Sequence, residues 1–400
     1  MIVIVHPVAA HTGALGYLNA IDQAGRSARL KYLRYLLIFV PVAVAAELLH
    51  WDALIIFSCS CIALVPLAGL LGEATEELAI HTGPKVGGLL NATLGNAAEL
   101  IITIVALSAG KLDLVKASIT GSILGNLLLI LGASLLLGGL KNGIQRFDRG
   151  LTGMSGTMML LAVIGLLIPT LFELIHEIQL NRLDIFNTNV NDPALNSLSL
   201  WVAGILIVLY VLSLVFSFQT PQREEHTGVD DHSAEEVAHQ AKWSIPFSAG
   251  VLAACTIAIV FLSEFLVGAV EPVVQGLGVS ELFLGVIIIP IVGNVAEHIV
   301  GVQVAIKNKM DLSLAISLGS SMQIALFVAP LLVFISLLFG QELTLFFSLL
   351  EVAALGLSVM IAAQVSVDGE SNWLEGAQLL AVYLIVAFGF YFTGAVATHP

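Results

Sequence analysis

The stretch GNVAEHIVG, residues 293–301, sets the terms on which this chain is read. Glu297 and His298 stand among Ile287, Ile288, Ile289, Ile291, Ile299 and Val300. A charged side chain at the centre of a membrane helix costs about 2.5–3.5 kcal/mol on insertion scales, so its default reading is functional. GNAAELIIT, residues 95–103, repeats the pattern with Glu99. Two costly carboxylates in matching surroundings call for a common reason.

Composition supplies the setting. The chain has 400 residues, 58% hydrophobic and 11% charged, with a mean hydropathy of +0.98. These values fit the polytopic membrane class and not a soluble domain. The formal charge of −14 arises mostly from scarce Lys and Arg. With no basic patch, nucleic acid is excluded as a partner. Cys59, Cys61 and Cys255 lie in apolar runs and imply no disulfide framework. Residues 1–30 lack the basic start of a secretory signal and read as a leader before the first span.

A helix needs roughly 20 mostly apolar residues to cross a bilayer. Eleven segments qualify, near 33–49, 53–80, 86–109, 114–138, 151–172, 197–218, 245–270, 281–306, 312–338, 343–365 and 372–394. With the N-terminus in the cytoplasm, Arg26, Arg29, Lys31, Arg34, Lys85, Lys141, Arg146, Arg149, Arg223, Lys242, Lys307 and Lys309 fall inside. Only Lys111, Lys116 and Arg182 fall outside, a twelve-to-three split that follows the positive-inside rule.

Shifting the chain by 198 residues aligns 95–122 with 293–320 without a gap, eleven of 28 positions being identical. The matches include Gly95/Gly293, Asn96/Asn294, Glu99/Glu297, Asp113/Asp311, Gly121/Gly319 and Ser122/Ser320; upstream, Glu73 matches Glu271 and Gly87 matches Gly285. Glu99 lies in the third span and Glu297 in the eighth, so the equivalent helices run in opposite directions. The expected fold is therefore an all-α polytopic membrane protein of about eleven helices, with two inverted-topology five-helix repeats and one extra N-terminal helix. Its parts are a leader (1–30), the extra helix (31–50), a first repeat (51–219), an acidic cytoplasmic linker (220–243) and a second repeat (244–396). Inverted repeats place substrate sites near the midplane, often at interrupted helices.

Asn96 and Glu99 are spaced i, i+3 and share a helix face, as do Asn294 and Glu297. Gly95 and Gly293 permit close approach or a local break. Ser122 and Ser320 add hydroxyls one helix later. The result is an all-oxygen set suited to a hard cation, Ca²⁺ taking 6–8 oxygens and Mg²⁺ a strict octahedron; no His/Cys cluster favours a softer metal. Facing carboxylates in an apolar setting repel and lose solvation, so an empty site should hold protons that an arriving cation displaces. If only loaded states switch access, the outcome is cation/H⁺ antiport. A purely structural role as helix–helix glue explains the duplicated face poorly.

GGLLNATLGNAAELIITIVAL with TGSILGNLLLILG, and PIVGNVAEHIVGVQVAIKNKMDLSLAISLGSSMQIALFVAPLLV, resemble the two signature repeats of the Ca²⁺/H⁺ exchanger family of the calcium/cation antiporter superfamily. The likeness covers nearly all of 50–395. It implies that Glu99 and Glu297 ligate the cation and carry the protons, with Asn96, Asn294, Ser122 and Ser320 assisting and Asn126 and Gln323 as further polar positions. Sodium/calcium exchangers carry Pro–Glu after small hydroxyl residues, whereas this chain has GNxxE in both halves, favouring the proton-coupled branch. A Na⁺/Ca²⁺ or monovalent cation/H⁺ antiporter of the same superfamily is the alternative. The resemblance implies Ca²⁺ and H⁺ as substrates, the bilayer as surroundings, no cofactor, and a cell (plasma or inner) membrane. No feature of the sequence indicates an oligomeric state.

Other polar residues have two readings each. Glu73, Glu76 and Glu77 near the cytoplasmic end of span 2 are either interfacial acids or, with Glu271 at the opposite mouth, steps on the ion path. Glu264 matches Pro66 and has no repeat partner. His298 is a proton relay or a structural hydrogen-bonding group. Residues 221–242 form a solvated linker or a Ca²⁺-regulatory element, with Ser233 and Glu236 able to start a short helix. The pair His176–Glu177, placed in an outer loop at 173–196, lacks the second His of HExxH because position 180 is Leu. With no GxSxG or Walker motif, neither an enzyme nor an ATP-driven pump is expected. A channel needs no protonatable pair, and uphill flux driven by a proton gradient separates the two.

Overall fold

The computed structural model describes residues 33–179, 192–219 and 241–397. The leader, the linker with its Ser233 helix start, and part of the 173–196 loop lie outside them. After a 3₁₀ turn at Tyr35–Ile38 come α1 (Phe39–Leu48), α2 (Ala53–Leu94), α3 (Ala97–Ser108), α4 (Leu112–Leu124), α5 (Leu131–Asn142), α6 (Arg149–Gln179) and α7 (Pro193–Gln219). The second part holds α8 (Ile245–Leu277), α9 (Ile289–Ile306), α10 (Met310–Gln323), α11 (Ala329–Leu338), α12 (Leu349–Val365) and α13 (Trp373–Ala397). The two short strands, Gln145–Arg146 and Glu370–Ser371, pair antiparallel and join the α5–α6 and α12–α13 connections.

Among the described residues seven helical stretches are long and apolar enough to cross a membrane, or eight if the pair Glu281–Val295 and Glu297–Ile306, bent by 69°, is one span. Three shorter apolar helices, Tyr35–Leu48, Ala97–Ser108 and Leu349–Val365, occupy expected spans without reaching full length. Two of these shortfalls have a local cause. The third span is divided: α2 runs to Leu94, the chain turns at Gly95 and Asn96, and α3 begins at Ala97. α2 also bends sharply between Ala79 and Gly87, since a Cβ on Gly87 would fall on the Ala79 carbonyl. Residues eight apart on a straight helix are separated by about 12 Å.

The tenth span was expected over 343–365, but its helix begins only at Leu349. Gly340, at φ +66°, ends the preceding helix, and the chain then runs irregularly with Leu343, Leu345 and Phe347 buried. Irregular backbone at membrane depth is tolerated where protein satisfies its polar groups. Here hydroxyls do so: Ser336 Oγ accepts from Leu343 N–H at 3.2 Å, Ser199 Oγ from Leu345 N–H at 3.0 Å, and Thr170 Oγ1 from Phe347 N–H at 3.2 Å. Ser348 and Glu351 then form a capping box that starts α12.

The fifth span is longer than expected. α6 continues through Gln179, so Glu173, His176 and Glu177 sit on a helix and not in a loop. FELIHEIQ contains no Gly or Pro to stop it. Lys116, counted with the outer basic residues, is buried in α4. The most enclosed spans are Leu112–Asn142 and Met310–Leu338, the two that carry Ser122 and Ser320. Both loosen to π winding just past those serines, at Gly125–Ile130 and Ile324–Val328. Local π segments recur at functional sites.

Candidate functional site

Two side-chain pairs tie the halves together. Ser320 Oγ donates to Asn96 Oδ1 at 2.9 Å, and Asn294 Nδ2 donates to Ser122 Oγ at 3.4 Å. Under the 198-residue shift these are the same Asn–Ser pair seen from either side. Asn126 Nδ2 donates to Ser320 Oγ at 3.0 Å, and Asn294 Nδ2 also reaches the Pro290 carbonyl at 3.0 Å. Asn96, Ser122, Asn126, Asn294, Ser320 and Gln323 are all buried.

The carboxylates join this group. Glu99 is buried, and a Cβ built on Gly293 would stand 3.4 Å from both its Cγ and its Oε1. The glycine of the second motif is thus the floor under the glutamate of the first. Glu297 interacts with the Ser320 hydroxyl and lies near the carboxyl group of Glu99. Glu99 Oε1, Glu297 Oε2 and Asn294 Oδ1 are buried oxygens with no hydrogen-bond partner among the described residues; Asn96 Nδ2 and His298 Nε2 are nitrogens in the same condition. Buried polar atoms are paired in the great majority of cases. These three unpaired oxygens, one from the first half and two from the second, can each receive a proton or ligate a hard cation.

The accessory acids are engaged elsewhere. Glu73 pairs with Arg34 at 2.7 Å, Glu76 is exposed, and Glu271 pairs with Lys111 at 3.2 Å. The buried member of that first group is Glu77, which accepts the N–H groups of Lys242 and Trp243 at 2.7 and 3.0 Å. Glu264 lines a cavity of about 300 Å³ between α3 and α8, together with Ser108, Lys111 and Glu271.

Two buried charged residues near the first serine escaped sequence reasoning. Glu351 Oε1 accepts from Thr120 Oγ1 at 3.0 Å, one turn of α4 from Lys116, whose Nζ stands 3.5 Å from Thr344 Oγ1. The only signal for Glu351 is SLLE, readable as a capping box. Away from the serine, Glu173 near the end of α6 is also wholly buried and was also missed.

An all-helical integral membrane protein with carboxylates, amides and hydroxyls buried between its helices is of the ion-transporter class. The chain belongs to the sodium/calcium exchanger protein family, whose model matches residues 52–219 and 247–392, and within that superfamily to the Ca²⁺/H⁺ exchanger family. It is 43% identical over 367 residues to the Ca²⁺/H⁺ antiporter of Aphanothece halophytica, covering 89% of this chain and 95% of that protein. It is 41% identical over 356 residues to the Ca²⁺/H⁺ antiporter ChaA of Bacillus subtilis (strain 168), covering 88% and 96%. The solved structure of native YfkE superposes with a TM-score of 0.74 at 38% identity, covering 90% of this chain and 99% of that one.

Proposed function

We propose that this protein exchanges Ca²⁺ for H⁺ across the membrane and that Glu99 and Glu297 are shared between the two substrates. The observation that carries the reading is the reciprocal Asn96–Ser320 and Asn294–Ser122 pairing, which supports one site made by both halves. In the proton-loaded form the two carboxyl groups are neutral and the buried pair is tolerated. Ca²⁺ displaces those protons because it needs the same oxygens as anions. The amide and hydroxyl oxygens of Asn96, Asn294, Ser122 and Ser320 complete its surroundings, while Asn126 and Gln323 orient them. A bare pair of carboxylates is the state the protein avoids, and that avoidance couples the two fluxes.

The proposed frame is eleven spans, two inverted repeats over 51–219 and 244–396, and an alternation of access around a fixed site. Three short or broken apolar helices added to the eight long stretches are consistent with that count. The distribution of basic residues supports a cytoplasmic N-terminus and a cytoplasmic 220–243 segment, in a cell membrane. Ca²⁺ enters as cargo and no cofactor is invoked.

The test is Ca²⁺ uptake into inside-out vesicles or proteoliposomes under an imposed pH gradient, with Mn²⁺, Na⁺ and K⁺ as competitors. Glu99→Gln and Glu297→Gln should each abolish uptake with insertion intact. Gln keeps size and one acceptor but cannot be ionised, and helix glue would tolerate it. Wild-type-like flux in either variant would remove that glutamate from the mechanism.

A further inference from the structure

Where α6 ends and α7 begins, a second cluster stands apart from the residues assigned to exchange. Glu173 and His176 are spaced i, i+3 on the last turns of α6 and so share a face. Asp192 immediately precedes α7. One ligand atom from each of the three lies within 4.8 Å of the others.

Glu173 is 0% exposed, and neither of its carboxylate oxygens has a hydrogen-bond partner among the described residues. His176 Nδ1 and Asp192 Oδ2 approach to 2.7 Å as an ion pair, and the Glu173 oxygens stay outside that contact. Asp192 is held in place by its other oxygen, which accepts the Ala194 N–H at 2.7 Å. The Phe172 ring, 6.2 Å from the imidazole between centroids, limits the swing of His176.

We propose that Glu173, His176 and Asp192 bind a divalent metal of the Zn²⁺ and Mn²⁺ class, fastening the end of α6 to the start of α7. One imidazole nitrogen with two carboxylates suits those ions, whereas Ca²⁺ prefers oxygens alone. The bound ion satisfies the buried Glu173 oxygens and offsets the charge of Asp192. The cluster was passed over in the sequence because HExxH fails at Leu180; its spacing is ExxH with a distant Asp.

The experiment uses full-length protein in detergent, stripped with a chelator, with Zn²⁺ as the probe and Glu99→Gln as background so that the proposed transport site does not contribute. Zn²⁺ should bind one per chain and raise the unfolding temperature, and equimolar Ca²⁺ should not compete. Glu173→Gln and, separately, His176→Gln should weaken Zn²⁺ by more than about 100-fold, the upper end of what losing even an outer partner costs. In an otherwise wild-type chain both should leave Ca²⁺ flux near normal. Zn²⁺ binding unchanged in both variants would overturn the assignment. So would the absence of Zn²⁺ binding, which would mean that Glu173 is buried as a neutral acid.

Discussion

In the first half the chain interrupts its helix at Gly95 and Asn96, whereas in the second α9 keeps winding through Gly293 and Asn294 and turns by 69° only between Val295 and Glu297. The side chains nevertheless meet their opposite numbers in matching pairs. The backbone is free to differ while the polar group is conserved across the 198-residue shift. The edges differ further. Glu73 is taken by Arg34 of the segment leading into α1, and Glu77 by the backbone of Lys242 and Trp243. Their second-half equivalents are Glu271, paired with Lys111, and Gln275.

The largest expected contrast between the halves lies at one motif position. A Cβ on Gly121 would overlap the Val286 carbonyl, whereas around Gly319 nothing lies within 4 Å. Gly121→Ala should destabilise by about 1–3 kcal/mol or more through overpacking. Gly319→Ala should be neutral or gain up to ~1 kcal/mol of helix propensity. Unfolding temperatures in detergent measure both, and equal shifts would break the comparison at its sharpest point.

A smaller effect, equal in the two halves, is expected from Asn96→Ala and Asn294→Ala. Each removes one bond of the pair that joins the halves, a buried hydrogen bond whose loss costs ~1–3 kcal/mol, so initial Ca²⁺ flux should fall about tenfold or more in both. A tenfold difference between them would mean that one half dominates ion binding. Smallest of all are the edges. Glu73→Gln and Glu271→Gln remove exposed ion pairs worth about 0–1 kcal/mol, and flux should stay within about fivefold of wild type. Loss of flux from either would move that acid onto the ion path.

Much of this was legible in the sequence because a polar residue in an apolar helix calls for a reason, and duplication displayed the same pattern twice. Asn96, Glu99, Ser122 and their partners were found that way, and the structure brings them together. Hydropathy was weaker on helix lengths, since it reads composition and not direction. It did not register the bend of α2 between Ala79 and Gly87 or the buried irregular run before Leu349, whose backbone is satisfied by Ser199, Thr170 and Ser336 from other parts of the chain. Nor did it see Glu351 and Glu173 as buried, because each lies near a helix end where an acid is ordinarily solvated. The Glu73 and Glu271 match was visible, but their cationic partners come from segments that the repeat does not relate.

Sharing of one pair of carboxylates between Ca²⁺ and H⁺ is tested most directly by proton release on Ca²⁺ addition to purified protein in weakly buffered detergent. Wild type should release protons as Ca²⁺ binds, and Glu99→Gln and Glu297→Gln should each bind Ca²⁺ poorly and release few or none. Undiminished Ca²⁺-dependent proton release in either variant would contradict a site built from both halves.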